Sequence, residues 1–272
     1  MVIEPQILVF TDLDGTLLDH HSYSFQPALP ALQRLAAHNI PVILNSSKTR
    51  PEMEALKQQL GNTAPFIVEN GAAAIIPPGN LGEAPEEILF AASRDVILEQ
   101  LHWLRSKGYE FRGFNDMSAA DVADVTGLTI QAATAAKQRI GTEPLMWQGE
   151  EYQLLEMKSL LEQVGLQLIK GGRFYHVMGQ YDKADAMQYL AQRYQATHPQ
   201  KQVISIALGD SPNDARMLER ADYAVIIKGV NSAKLMITGA CHVMRSQGEG
   251  PTGWNECIQS LLNQLLPAAQ LS

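Results

Sequence analysis

Short runs of mainly apolar residues recur along the chain, at 7–10, 41–44, 65–68 and 203–208, and each is followed by polar residues. Apolar runs without polar alternation are typical of strands buried on both faces of a sheet. Between the first two runs, apolar residues recur at helical spacing from Leu29 to Ala36. This strand–helix–strand order predicts a parallel sheet with right-handed crossovers and flanking helices. The predicted fold class is therefore α/β.

The pattern of apolar and polar residues changes after the third apolar run, at 65–68. Residues 65–68 and 72–76 predict a hairpin around Asn70 and Gly71, and a Pro-Pro-Gly-Asn stretch then ends it. Residues 84–178 alternate helical patterns with shorter strand patterns, so we interpret them as an inserted α+β domain. Residues 1–83 and 179–272 would then form one core domain. Near the end of the chain we expect a mobile loop at 246–253, because it holds three glycines, and a helix at 254–266.

Composition excludes several classes of function. The 272 residues carry a net charge of −8 and have a pI near 5.4, which disfavours a general nucleic-acid binder. No apolar run approaches the roughly 20 residues that span a bilayer, and no signal segment opens the chain, so we expect no membrane partner. Cys241 and Cys257 lack the spacing of a metal site or disulfide framework and indicate reduced thiols in a cytoplasmic protein. The sequence predicts no particular oligomeric state.

Two carboxylates directly follow the first apolar run. Asp12 and Asp14 are separated by one residue, and side chains two apart in extended chain point to the same side. Both can therefore reach one pocket at the carboxyl end of the strand, where open α/β sheets bind ligands. Paired anions need a cation between them, and Mg²⁺ prefers oxygen ligands. The alternative is a surface turn, because Asp-x-Asp-Gly suits turn geometry.

Polar residues also follow other strands. Ser46 and Ser47 come after the second run, where hydroxyl and N–H groups can hold a phosphate oxygen or simply cap the next helix. Asp210 follows the fourth run in the way that Asp12 follows the first. Asp214 lies four residues further on, where a helix start also explains it. Lys183 lies near the start of another predicted helix.

These segments together resemble the four motifs of the haloacid dehalogenase superfamily of phosphatases. The motifs are Asp-x-Asp-Gly-Thr at 12–16, an apolar run ending in Ser46, a helix-start Lys183, and Gly-Asp-x-x-Asn-Asp at 209–214. The resemblance implies a Rossmann-like core, a parallel sheet flanked by helices. The insert after the third strand is similar to the large C2-type cap of some members.

Further segments resemble the mannosyl-3-phosphoglycerate phosphatase family, and they are spread over nearly the whole chain. They are Asn45-Ser46-Ser47-Lys48-Thr49-Arg50, Glu69-Asn70-Gly71, Arg112-Gly113-Phe114-Asn115-Asp116-Met117, Thr126-Gly127-Leu128, Gly171-Gly172-Arg173-Phe174-Tyr175-His176 and Gly250-Pro251-Thr252-Gly253-Trp254. The family's cap pattern Arg-Glu-Tyr-x-Glu-Pro reads Arg139-Ile140-Gly141-Thr142-Glu143-Pro144 here. The aromatic and one acidic residue of that pattern are missing.

The resemblance implies a two-step phosphoryl transfer. Asp12 would attack phosphorus to form an aspartyl-phosphate, and Asp14 would act as general acid and then general base. Ser46 and Lys183 would stabilise the phosphoryl oxygens. The implied Mg²⁺ ligands are Asp12, Asp14 through its backbone carbonyl, Asp210 and Asp214, the last acting through water or by holding Lys183.

The implied substrate is a phosphorylated sugar acid, 2-O-mannosyl-3-phosphoglycerate, and the product would be mannosylglycerate, a compatible solute. The residues implied to bind it are Ser47, Lys48, Glu69, Asn70, Gly172, Arg173, His176 and Asn213. Among these, Lys48, Arg173 and His176 would meet the carboxylate and sugar, since Arg pairs well with carboxylates. Lys48 is equally explained as a solvated helix-start charge, and His176 as a core histidine.

Two other functions stay open. One is a different sugar-phosphate phosphatase or phosphomutase of the same superfamily. The other is a non-catalytic binding module, which would gain nothing from clustered buried charges.

Overall fold

The computed structural model describes residues 5–91, 93–171, 173–239 and 242–266. Its strands are β1 (Gln6–Thr11), β2 (Val42–Asn45), β3 (Phe66–Val68), β4 (Ala73–Ile76), β5 (Glu86–Leu89), β6 (Phe111–Gly113), β7 (Thr142–Trp147), β8 (Leu166–Lys170), β9 (Tyr175–Gly179), β10 (Val203–Gly209), β11 (Tyr223–Lys228) and β12 (His242–Glu249). Its helices are α1 (Leu29–Ala37), α2 (Arg50–Leu60), α3 (Arg94–Ser106), α4 (Ala119–Thr126), α5 (Ile130–Ala136), α6 (Glu151–Gln163), α7 (Lys183–Thr197), α8 (Ala215–Glu219) and α9 (Gly250–Leu265).

The larger sheet in the described residues has the strand order β12-β11-β10-β1-β2-β3-β4-β5. The pairs from β12 to β3 are parallel, and β4 is antiparallel to both β3 and β5. The parallel sheet and the hairpin of β3 and β4 confirm the predicted α/β fold. Because β1 lies between β10 and β2, its carboxyl end is flanked by the ends of strands from both halves of the chain.

The first apolar run is buried on both faces of this sheet. Ile7 and Val9 pack on the face that α1 and α9 cover, whereas Leu8 and Phe10 pack on the face that α7 and α8 cover. Each of these side chains is at most 3% exposed. Burial on both faces explains why the run contains no polar alternation.

A second, antiparallel sheet has the order β6-β7-β9-β8. Helices α3 and α6 cover one face of it through Leu101, Met157 and Val177. On the opposite face, Met178 packs with Ala72 and Tyr181, so this face is turned towards the larger sheet. A second sheet of this kind is what the predicted cap requires.

One strand lies on the other side of the predicted domain boundary. Strand β5 falls within 84–178, the predicted insert, but pairs with β4 in the larger sheet. Its alternating burial is that of an edge strand. The division into 1–83, 84–178 and 179–272 stays a prediction.

The prediction of a mobile loop at 246–253 is wrong. Strand β12 continues to Glu249 and pairs with β11, and α9 begins directly at Gly250. Ser246 Oγ accepts a hydrogen bond from the Lys228 amide at 2.8 Å and donates one to Gly248 O at 2.7 Å. Since β12 is an edge strand with one neighbour, it tolerates polar and glycine residues that mask a strand pattern.

No helix among the described residues combines the length and the apolar character that crossing a bilayer requires.

Candidate active site

The ends of three adjacent strands meet at one edge of the larger sheet. Thr11, the last residue of β1, lies opposite Leu44 of β2 and Leu208 of β10. The chain beyond these positions carries Asp12, Ser46 and Asp210. Parallel register therefore brings together side chains that are far apart in sequence.

Lys183 lies at the centre of a buried charge cluster. Its Nζ donates to Asp12 Oδ1 at 2.5 Å and to Asp214 Oδ1 at 2.7 Å, and the residue is 1% exposed. It is placed there because α7 begins at this residue, after Asp182, whose carboxylate caps the Ala184 and Asp185 amides. The predicted helix-start lysine is thus brought to Asp12.

Three carboxylates lie close together beside this ammonium group. Asp12, Asp210 and Asp214 each offer an oxygen, and these atoms all lie within 4.8 Å of one another. Asp214 Oδ2 also accepts from the Asp210 and Ser211 amides at 3.2 Å. Burial raises the pKa of Asp12 against the attraction of Lys183, and the two neighbouring carboxylates raise it further. Burial and Asp214 raise the pKa of Asp210 to about 6.

The cluster fits a bound divalent cation. Burial and repulsion between the carboxylates act against ionisation, and one ammonium group leaves the trio with excess negative charge. Carboxylate oxygens are suitable ligands for hard cations. The chemistry of this donor set therefore matches a divalent metal held at the ends of β1 and β10.

Gly15 lies directly against Asp210, and a Cβ at Gly15 would be only 2.8 Å from Asp210 Oδ2. The φ of Gly15 is +84°, which also favours glycine. We expect Gly15→Ala to weaken metal-dependent activity at least about tenfold by displacing this carboxylate. Titration of activity with the divalent metal measures the effect. Gly79→Ala is the matched control, since Gly79 has the same φ with no atom within 4 Å. An equal loss in both variants would contradict the displacement of Asp210.

Asp14 lies beside the cluster and not inside it. Its Oδ2 accepts from Lys48 Nζ at 2.9 Å, and its buried Oδ1 has no hydrogen-bond partner among the described residues. Burial lowers the pKa of Lys48, but the Asp14 carboxylate more than compensates and the pKa is raised. Lys48 is therefore a half-buried cation that pairs with Asp14, and its role in substrate binding stays a prediction.

Ser46, Ser47 and Asn70 line the neighbouring strand end. Ser46 is 1% exposed, and its Oγ accepts from the Lys48 amide at 3.3 Å. The Asn70 amide donates to Ser46 O at 2.9 Å, and Asn70 Oδ1 is buried with no hydrogen-bond partner within the described ranges. Ser47 is half-buried.

Glu69 is fully buried, and its carboxylate points to the part of the chain that carries the second sheet, residues 94–179, which we call the second-sheet region. Oε1 accepts from the Ile140 amide at 2.9 Å. Oε2 accepts from the Gly141 amide at 3.2 Å and from Thr142 Oγ1 at 2.6 Å. Its implied role in substrate binding stays a prediction.

The remaining implied substrate residues are dispersed. His176 lies on the face of the second sheet turned towards the larger sheet, and its buried Nδ1 has no hydrogen-bond partner in the part of the chain that the structure describes. Burial, and then the Arg139 charge, lower its pKa to about 3. Arg173 is exposed and donates to Thr126 O at 2.7 Å, and Asn213 is exposed near the end of β10. Gly172 lies outside the described residues.

Three residues for which the sequence predicts no role also support the site. Thr16 Oγ1 donates to Asp210 Oδ1 at 3.4 Å. Trp254 Nε1 donates to Thr11 Oγ1 at 3.0 Å, and that hydroxyl donates to Asp12 O at 2.7 Å. Thr16 is part of the Asp-x-Asp-Gly-Thr motif, and this motif could have indicated its role. The hydrogen bond of Trp254 to Thr11 cannot be predicted from the residues near either position.

A family profile defines the class of protein. The profile of haloacid dehalogenase-like hydrolases matches residues 9–93 and 157–250. The two matched segments contain Asp12, Ser46, Lys183 and Asp210, and the unmatched stretch between them lies within the predicted insert.

A relative narrows the class. The chain is 34% identical over 268 residues to the glucosyl-3-phosphoglycerate/mannosyl-3-phosphoglycerate phosphatase of Persephonella marina, with 95% of this chain and 98% of the relative covered. The chain belongs to the haloacid dehalogenase-like hydrolases and, within them, to the mannosyl-3-phosphoglycerate phosphatase family. It is a phosphoric monoester hydrolase by family.

Solved structures share the fold. The sucrose-phosphatase of Synechocystis aligns with a TM-score of 0.63 at 17% identity, covering 96% of this chain and 98% of that one. A phosphatase of the haloalkanoate superfamily from Bacteroides thetaiotaomicron aligns with a TM-score of 0.67 at 17% identity, covering 96% of this chain and 95% of that one. At this identity the likeness concerns the fold alone.

Proposed function

We propose that the chain is a Mg²⁺-dependent phosphatase that hydrolyses 2-O-mannosyl-3-phosphoglycerate to mannosylglycerate and phosphate. The observation that carries the proposal is the buried contact of Asp12 with Lys183 inside a cluster of three carboxylates. The name of the 34% identical relative supports the substrate. That name also includes glucosyl-3-phosphoglycerate, which makes the glucosyl compound the second candidate.

Asp12 and Asp14 divide the chemistry. Asp12 attacks phosphorus in line and becomes an aspartyl-phosphate, as carboxylate nucleophiles do. Asp14 donates a proton to the leaving oxygen of the sugar acid and later accepts one from the attacking water. Lys48, 2.9 Å from Asp14, orients its carboxylate. Ser46 and Lys183 offer donors to the phosphoryl oxygens.

Asp12, Asp210 and the backbone carbonyl of Asp14 would hold Mg²⁺, supported by Asp214. When bound, the ion neutralises negative charge on the transferred phosphoryl group. Thr16 and Asp214 keep the Asp210 segment in place for this role through their contacts with its side chain and amide.

The second-sheet region would recognise the sugar acid. His176 Nδ1 is buried on the face turned towards the larger sheet and has no hydrogen-bond partner among the described residues, and Lys48 is a cation that pairs with Asp14. Both, together with Arg173, are proposed to meet the leaving group.

We place the enzyme in the cytoplasm, where the free thiol of buried Cys257 stays reduced.

Phosphate release from a panel of phosphorylated sugars and sugar acids tests this function. We expect the highest kcat/KM for 2-O-mannosyl-3-phosphoglycerate with Mg²⁺, loss of activity with EDTA, and recovery when Mg²⁺ is restored in excess. A preference for another sugar phosphate would reject the substrate. Transfer of phosphate to a second hydroxyl that requires a bisphosphate activator would indicate a phosphomutase. No release from any ester, a generic aryl phosphate included, would indicate a binding module.

A further inference from the structure

One segment of the second-sheet region, residues 135–142, makes hydrogen bonds to the core. Ala135 O accepts from Thr49 Oγ1 at 2.9 Å, and Arg139 Nη1 donates to Ser47 O at 3.4 Å. The end of this segment meets Glu69. We call Glu69, Tyr181 and residues 140–142 the cap joint.

The Glu69 carboxylate is the main acceptor of the cap joint. The side chain is fully buried, and both of its oxygens accept hydrogen bonds, two from backbone amides and one from the Thr142 hydroxyl. Hydrogen bonds to a charged acceptor are stronger than neutral ones, and they are strongest where water is excluded. Three donors from one short segment therefore fix that segment against the core.

The backbone of Glu69 is connected to the active site. Its amide donates to Lys48 O at 3.0 Å, and the next amide, of Asn70, donates to Ser46 O at 2.9 Å. Glu69 and Asn70 have φ values of 50° and 58°, a left-handed conformation that is unfavourable for side-chain-bearing residues. This conformation directs the Glu69 carboxylate to the cap joint while its backbone stays on the loop that holds Ser46 and Lys48.

Gly141 allows close contact at the cap joint. A Cβ at this position would lie 2.4 Å from Ala91 Cβ and 3.0 Å from Ala72 Cβ. Its carbonyl accepts from the Tyr181 hydroxyl at 2.6 Å. Burial and the Glu69 charge raise the pKa of Tyr181, so the hydroxyl remains a donor. Backbone atoms of the second-sheet region are thus held directly on the core.

We propose that Glu69 is a positioning residue that fixes the second-sheet region over the loop that carries Ser46 and Lys48. Held in this way, the second-sheet region can recognise the sugar-acid part of the substrate. The proposal deepens the proposed function and rests on it for the nature of the substrate. Glu69 is fully buried and both of its carboxylate oxygens accept hydrogen bonds from residues 140–142, so the carboxylate is directed at the cap joint and not at solvent. Glu69 acts through residues 140–142.

Glu69→Gln and Thr142→Val test the proposal, and Thr142→Ser is the matched control. In Glu69→Gln, the side-chain amide places its own N–H groups against donors that need an acceptor. Thr142→Val removes the hydroxyl that donates to Glu69, whereas Thr142→Ser keeps a hydroxyl at that position. The first measurement is the ratio of kcat/KM for 2-O-mannosyl-3-phosphoglycerate to kcat/KM for a small aryl phosphate, which has no sugar acid to recognise. The second is hydrogen exchange at the Ile140 and Gly141 amides.

We expect Glu69→Gln to lower the ratio about tenfold and to speed exchange at both amides at least about tenfold, as loss of a charge-assisted hydrogen bond implies. Thr142→Val should lower the ratio about threefold, and Thr142→Ser should keep it within about twofold. Thr142→Val also replaces Glu69→Gln as the deciding variant if the latter does not fold.

Equal losses on both substrates, or an unchanged ratio with faster exchange, would overturn the positioning role. A direct substrate contact by Glu69 would instead lower the ratio in Glu69→Gln while Thr142→Val stays at the wild-type ratio, and this also overturns it. If the wild type prefers another sugar phosphate, the proposed substrate fails on its own. The preferred compound then replaces 2-O-mannosyl-3-phosphoglycerate in the same ratio.

Discussion

Asp12→Asn is expected to abolish phosphate release, with a loss of kcat of at least about 10⁴-fold, the scale seen when a nucleophile is removed. Asparagine has nearly the same shape, and its carbonyl oxygen can still accept from Lys183, which donates to Asp12 Oδ1 at 2.5 Å in the wild type. The fold should therefore persist while the aspartyl-phosphate cannot form.

Release of phosphate from 2-O-mannosyl-3-phosphoglycerate and from an aryl phosphate measures the loss, and thermal unfolding checks the fold. Asp95→Asn is the control, because Asp95 is exposed in the first turn of α3, outside the site. A variant Asp12→Asn that retains the wild-type rate on either ester would eliminate Asp12 as the nucleophile.

Lys183→Met is expected to eliminate activity and also to lower the free energy of unfolding of the metal-free protein by about 3–5 kcal/mol, since removing one partner leaves buried charges unpaired. Lys183 is the cation between Asp12 and Asp214, and their side chains are at most 10% exposed. Denaturant unfolding in EDTA measures the change. Lys57→Met is the matched control, because Lys57 is also buried but donates to Asn62 Oδ1 and not to a carboxylate.

The destabilisation by Lys183→Met should depend on pH. Burial already raises the pKa of Asp12 and Asp210 above the ordinary value of 3.8, and removal of the lysine takes away the charge that lowers both. A raised carboxyl pKa means that the folded state binds more protons than the unfolded chain, so stability falls as pH rises. The loss should therefore be larger at pH 8 than at pH 5. A loss independent of pH would mean that packing, and not charge, is the cause.

The sheet was predictable where burial leaves a strong pattern in the sequence. The first run, 7–10, and the run at 203–208 had to be strands because both of their faces are buried. Edge strands lack this pattern. The second half of β12, residues 246–249, lies in the predicted loop, and β5, which alternates partly buried with exposed residues, lies in the predicted insert.

The site was predictable as far as it depends on strand ends. Asp12 and Asp210 each directly follow a buried strand, and parallel register then brings them together. The partners of Glu69 were not predictable, because its acceptor role depends on where residues 140–142 dock. Tertiary contacts of this kind have no local period or spacing, and the same is true of the hydrogen bond from Trp254 to Thr11.

The central position of β1 also matters while the polypeptide is being synthesised. On one side β1 pairs with β2, which leaves the ribosome soon afterwards, but on the other side Gln6 pairs with Val203 of β10. Until that late strand emerges, the nascent chain carries a hydrophobic strand with an open edge, which is prone to pair with other chains. A prematurely terminated product that ends before β10 would therefore lack Asp210 and Asp214 and be liable to aggregate.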